Sequence, residues 1–116
     1  VSRGSAKPAE TRHQVARIAR NTAQLIGVER PIDDAEIILG ERYHAGTDGI
    51  PDDTTLGAMR MAAQLEGMIT DPVYEGKSMA GMIDMVRRGE LGPDSNVLYA
   101  HLGGQPALHG YASLFA

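Results

Sequence analysis

An α/β fold is predicted by three observations on this chain of 116 residues. Two apolar runs, 35–39 and 97–100, have strand length, stretches of helical periodicity flank them, and proline and glycine clusters mark the boundaries. The order helix, strand, helix, helix, strand, helix separates the buried runs by helices, which argues for parallel pairing. With 42% hydrophobic residues the chain holds apolar material for one small core, so 1–116 is expected to be a single region. Two strands do not make a sheet that can cover both its faces. The chain is therefore expected to be a piece of something larger, or to pair with another chain.

The first helix is expected from Pro8, whose missing N–H has no partner in a first helical turn anyway. Val15, Ile18, Ala19, Thr22 and Leu25 recur at helical spacing as its apolar stripe, and Gly27 is placed to end it. Arg12, Arg17 and Gln24 fall on the opposite, solvated face. Arg12, Arg17 and Arg20 have no phosphate-loop pattern beside them, and a wet helix face accounts for them. Pro31 and Asp33-Asp34 open a turn before the first expected strand, Ala35 to Leu39. The glycine-rich stretch from Gly40 to Pro51 is too polar to be buried and is expected to be a loop. His44 in that loop has no second histidine or carboxylate cluster near it at metal spacing, and no metal is expected.

The second helix starts at Asp52 or Asp53, carries Leu56, Met59 and Ala63 on its apolar stripe, and ends near Gly67. In the third, Met79, Met82, Ile83 and Val86 fall at i, i+3, i+4 and i+7, with Arg87, Arg88 and Gly89 at its end. The methionines suit core filling, since thioethers fit irregular gaps. Val97 to Ala100 is the second expected strand, between Pro93-Asp94-Ser95-Asn96 and Gly103-Gly104. A short helix from Pro106 with Leu108, Tyr111 and Phe115 closes the order.

Charge and composition exclude several roles. The net charge is −4 with no block of like charges, so neither a nucleic-acid backbone nor an anionic membrane surface is an expected partner. Cysteine is absent, which removes disulfides and thiolate chemistry and fits a cytoplasmic protein. No apolar run approaches the roughly twenty residues needed to cross a bilayer. Val1 to Ser5 lacks the apolar core of a signal peptide.

The chemistry concentrates in two loops. Asp71-Pro72-Val73-Tyr74-Glu75-Gly76-Lys77-Ser78-Met79 sets a phenol, a carboxylate and an ammonium together at the start of a helix, and Leu98-Tyr99-Ala100-His101-Leu102-Gly103-Gly104 ends a strand. Open α/β sheets hold small ligands at such loops. The Tyr74 hydroxyl can donate a hydrogen bond or pass a proton, Glu75 can accept from a ring N–H, and Lys77 can act as charge partner or form an imine. The same residues equally suit an ordinary helix start. Asp71-Pro72 is a start signal, Glu75 favours the positive end of a helix, and Lys77 suits a solvated position. The pair Gly103-Gly104 is a weak signal without a full phosphate-binding pattern.

Three stretches carry a specific resemblance: Ser5 to Arg12, Glu66 to Met79, and Tyr99 to Gly104. From about Ser5 to the end, in order and without gaps, the sequence resembles the carboxyl-terminal part of the 1-aminocyclopropane-1-carboxylate deaminase family, tryptophan-synthase-β-like (fold type II) enzymes that use pyridoxal phosphate. The resemblance implies a partial parallel-sheet domain and a ring-opening deamination of 1-aminocyclopropane-1-carboxylate to 2-oxobutanoate and ammonia. It implies that Glu75 faces the pyridine nitrogen of the cofactor, that Tyr74 faces the substrate as a nucleophile or acid–base group, and that Leu102 lines the pocket. The related D-cysteine desulfhydrases carry small polar residues in place of Glu75 and Leu102. Intact family members are homo-oligomers.

Departures from the family pattern bear on activity. The family usually carries a tyrosine before the glycine matching Gly49, where this chain has Asp48, a negative charge near the expected place of the substrate carboxylate. His109 stands where an asparagine is common, and Val1 to Gly4 does not match. The family's Schiff-base lysine and cofactor-phosphate loop lie upstream of the matched region, and neither of the two lysines here, Lys7 and Lys77, matches that lysine. The expectation is an enzyme fragment, inactive alone, holding part of an active site at Tyr74, Glu75, Leu102 and Asp48. A D-cysteine desulfhydrase and a non-catalytic interaction module are the rivals.

Overall fold

The computed structural model describes residues 7–43 and 49–116, so Asp48 and His44 lie outside the described residues. The chain divides into two compact units, Val1–Glu41 and Arg42–Ala116.

In the first unit, helix α1 spans Pro8–Leu25, with Pro8 in its first turn as expected. Gly27 takes a positive φ of 74° and the Val28 N–H returns to the Ala23 carbonyl at 2.8 Å, the bond that closes a helix over a left-handed residue. The expected apolar stripe is not the buried one. Ala16 and Ala23 are buried, whereas Ile18 is 51% and Leu25 85% exposed. Among the described residues of this unit, the element that α1 packs against is a short 3-10 turn, Asp34–Glu36, and small side chains allow that close approach. The arginine face is correspondingly less wet than expected. Arg12 donates to the Ile37 carbonyl at 3.0 Å, and Arg20 donates to the Ile32 carbonyl at 3.0 Å and to Asp34 at 2.7 Å.

The expected strand at 35–39 is corrected to that 3-10 turn followed by an extended segment, with a single-residue bridge at Gly40. Asp33 and Glu36 form a capping box. The Ala35 N–H donates to Asp33 Oδ1 and the Asp33 N–H to Glu36 Oε1, both at 2.9 Å. These local acceptors satisfy backbone donors that a strand would need a neighbour to satisfy.

In the second unit, α2 (Asp53–Glu66) and α3 (Glu75–Arg87) form the packed pair. Asp52 caps α2, accepting from the Thr55 N–H at 2.7 Å and the Thr55 hydroxyl at 2.6 Å. Gly67, at φ 64°, ends it. Ala58, Ala62, Met79 and Ala80 form the buried core, flanked by Met68, Met82, Ile83 and Tyr99. Small residues bring the two helix backbones close, and the methionines fill the space between as expected. Tyr43 lies against Gly81 and donates to Asp84 at 2.8 Å, and Arg42 reaches both carboxylate oxygens of Glu90.

The second expected strand, 97–100, is also not formed; among the described residues there is no β-strand element. A strand's backbone bonds go to a neighbouring strand, and an apolar run without one stays irregular. The terminal element is a run of 3-10 turns, Gln105–Leu114, tied back by the Tyr111 hydroxyl to the Gly49 carbonyl at 2.6 Å. No helix among the described residues is long and apolar enough to cross a membrane.

Candidate active site

The site is organised by Asp71, 2% exposed, at the turn before α3. Its Oδ1 accepts from the Val73 and Tyr74 N–H groups at 2.8 and 2.9 Å, its Oδ2 from the Glu75 N–H at 2.9 Å, and its own carbonyl from Gly76 at 2.7 Å. A carboxylate thus holds three donors at the start of α3 that have no partner within the helix. That capping presents Tyr74 and Glu75 consecutively: Tyr74 is 76% exposed, and Glu75 is buried at 6%.

The second loop closes over this turn. Gly104, at φ 90°, lies so near Asp71 that a Cβ there would come within 2.6 Å of Oδ2. Close approach to a carboxylate, with a backbone angle that L residues avoid, is the reason for a glycine at this place. His101 bridges the two loops: its Nε2 pairs with the Ile69 carbonyl at 2.8 Å and its Nδ1 accepts from the Gly103 N–H at 3.3 Å, which assigns the Nε2–H tautomer.

Between the loops lies a network centred on Glu75. Oε1 accepts the Leu102 N–H at 3.1 Å, and Oε2 stands 3.0 Å from the Tyr99 hydroxyl. That hydroxyl is also 2.9 Å from the Glu75 carbonyl and 2.9 Å from Ser78 Oγ, which reaches the same carbonyl at 3.1 Å. Burial first, and the Glu75 carboxylate next, push the Tyr99 phenol up to about 12 against the opposing Ser78 bond, so it remains a neutral donor at physiological pH.

Three of the four sequence-predicted site residues are thereby brought together. Glu75 is bonded to the backbone of Leu102, and Tyr74 adjoins it in the chain; the Leu102 side chain is 86% exposed, open to a ligand or to further protein. Lys77 is not part of the group. Two positions beyond Glu75, it lies about 200° around the helix and lines a groove of about 140 Å³ with Arg42, Tyr43, Asp52 and Thr55. It is buried, at 8% exposed, contrary to the solvated position that suited it. Among the described residues no group of three or more His, Cys, Asp or Glu could hold a metal.

Sequence reasoning did not single out Tyr99 or Ser78, and it treated Asp71 as a helix-start signal only. An Asp-Pro start with a second carboxylate four residues on is the signal the sequence offers for Asp71. Tyr99 carried none, because a tyrosine in an apolar run reads as strand filling.

Comparison with known proteins finds no protein-family model that matches the chain. The sequence is 61% identical over 111 residues to the 1-aminocyclopropane-1-carboxylate deaminase of Burkholderia vietnamiensis, covering 96% of this chain and 33% of that protein. It is 59% identical over 112 residues to the same-named protein of Burkholderia multivorans, covering 97% and 33%. It is 59% identical over 111 residues to a probable 1-aminocyclopropane-1-carboxylate deaminase of Cryptococcus neoformans, covering 96% and 32%. The chain spans about a third of the length of the curated relatives it matches. These likenesses bear out the resemblance carried by Ser5 to Arg12, Glu66 to Met79 and Tyr99 to Gly104.

Proposed function

We propose that the chain is the carboxyl-terminal part of the catalytic domain of a pyridoxal-phosphate-dependent 1-aminocyclopropane-1-carboxylate deaminase, which opens the substrate ring and releases 2-oxobutanoate and ammonia. The observation that carries the reading is identity of about 60% to proteins of that name along nearly the whole chain. Residues 97–100 are then a strand of a parallel sheet completed by other parts of the enzyme, with a ladder partner supplied there. The reading includes a cytoplasmic homo-oligomer, and this chain alone is inactive.

The residues fit the cofactor. A carboxylate offers about four acceptor positions, of which Leu102 and Tyr99 use two at Glu75, leaving capacity for the N–H of a protonated pyridine ring. Lys77, on another side of α3, does not fit as its covalent anchor. When bound, pyridoxal phosphate supplies the electron-withdrawing ring that takes up the electron pair released at the substrate α-carbon.

In this reading Glu75 holds the negative charge that favours the protonated ring, and burial excludes water from that contact. Tyr74 presents its hydroxyl to the substrate; as an acid–base group it would move a proton at a ring methylene carbon, and as a nucleophile its oxygen would lose its proton to solvent and bond that carbon as the ring bond to the α-carbon breaks. The Leu102 side chain forms an apolar wall against the small ring, while its backbone N–H holds Glu75 in place. The resemblance puts Asp48 where the family usually carries a tyrosine, and Asp48→Tyr is expected to raise kcat/KM about tenfold.

The deciding experiment assays the full-length protein for 2-oxobutanoate from 1-aminocyclopropane-1-carboxylate and for sulfide from D-cysteine. Ring opening is the expected result. Sulfide without ring opening makes it a desulfhydrase, and neither product makes the chain an interaction module.

A further inference from the structure

We propose that Tyr99, supported by Ser78, is the positioning residue that holds the Glu75 carboxylate toward the cofactor ring and keeps it hydrogen-bonded whether or not it carries a proton; this rests on the deaminase reading. The argument is a count of protons. Tyr99 Oη, Ser78 Oγ, the Glu75 carbonyl and Glu75 Oε2 are joined by four contacts of 2.9 to 3.1 Å. Tyr99 and Ser78 bring only one hydroxyl proton each.

With Glu75 ionised, Tyr99 donates to Oε2, and Ser78 donates to Tyr99 or to the Glu75 carbonyl. With a proton on Oε2, the carboxyl donates to Tyr99 Oη, Tyr99 turns its own proton to the Glu75 carbonyl, and Ser78 keeps its donation. Every polar atom of the group has a partner in both arrangements, and the only movement is rotation of the Tyr99 hydroxyl. An unpaired buried polar atom is costly, and a partner that is donor and acceptor at once keeps the carboxyl group paired in either state. Phenylalanine fits the packing and could do neither.

The raised phenol supports this, because a hydroxyl that stays neutral keeps a proton to donate throughout the working pH range. The same loop also bonds Glu75 Oε1 through the Leu102 N–H, so the whole carboxylate is aimed by residues 99–102.

The test uses the full-length protein. In its cofactor-free form, ring-carbon NMR is expected to find Tyr99 titrating near 12 and, in Glu75→Gln, closer to its ordinary value of 10. In the loaded enzyme Tyr99→Phe is expected to lower kcat about tenfold with KM within about twofold, and to cost nothing more in a Glu75→Gln background. Ser78→Ala gives a smaller loss in the same direction and serves if Tyr99→Phe does not fold. A Tyr99 titration unmoved by Glu75→Gln, or wild-type kcat in Tyr99→Phe, overturns the proposal. Absence of 2-oxobutanoate from the wild type would instead count against the deaminase reading, and leaves the tyrosine titration standing as its own result.

Discussion

Asp71 carries more of the site's geometry than any residue that faces a ligand in the proposed reading. Its carboxylate caps α3 through three backbone donors and lies under Gly104. Gly104→Ala must therefore both push against that carboxylate and adopt a positive φ. It is expected to destabilise the protein by about 2–3 kcal/mol in denaturant unfolding. Asp71→Asn keeps the shape but turns an NH2 group toward a backbone donor, and a loss of about 2 kcal/mol is expected by the same measurement. Tyr99 gives a pH prediction with a definite sign. Its folded-state value lies above the unfolded value of 10, so its contribution is complete below pH 10 and is lost as pH rises toward 12; Tyr99→Phe is expected to flatten that part of a stability-versus-pH curve.

At the scale of elements, two helical glycines make a controlled pair. Gly57 in α2 has open space where a Cβ would go, whereas a Cβ at Gly76 in α3 would meet Met59 at 2.7 Å and the Asp71 carbonyl at 2.9 Å. Gly57→Ala is expected to stabilise by about 0.5–1 kcal/mol through helix propensity alone. Gly76→Ala is expected to destabilise by about 1–3 kcal/mol, since backbone cannot yield as a side chain does; thermal unfolding of both variants checks the pair. In α1, the Arg20 and then the His13 hydrogen bonds hold the Asp34 carboxyl below its ordinary 3.8, so their stabilisation is present above that pH and fades as pH falls through the folded-state value. Arg20→Gln is expected to weaken this acid dependence, read from Asp34 and Ile32 resonances between about pH 2 and 5.

The helix boundaries were legible because their causes are local. Pro8, Gly27, Asp52 and Gly67 stand where the structure starts and ends α1 and α2, and each acts on backbone within a few residues of itself. The apolar stripe of α1 was misjudged for the opposite reason: whether Ile18 or Ala16 is covered depends on what packs there, which periodicity does not specify.

For the whole molecule, the proposed reading gives the unformed strands and the exposed apolar residues one physical origin, partners supplied by other parts of the enzyme. In the second unit Leu98 is 94%, Leu102 86%, Tyr74 76% and Val97 49% exposed, large side chains whose clustering on a surface marks an interaction site. The isolated chain is expected to self-associate with rising concentration in analytical ultracentrifugation and to bind a hydrophobic dye. A strict monomer that binds no dye would count against burial of these residues in the proposed enzyme.

By itself the sequence determined the helices, their caps and the resemblance that pointed to Tyr74, Glu75 and Leu102, because capping, periodicity and motif identity are written in neighbouring residues. Only the tertiary structure decided that Tyr99 and Leu102, 24 and 27 positions beyond Glu75, hold its carboxylate. It also turned Lys77 away from that group and left 97–100 without a ladder. Those outcomes depend on which distant segments meet, and a hydrogen bond across such a separation has no signature in local spacing.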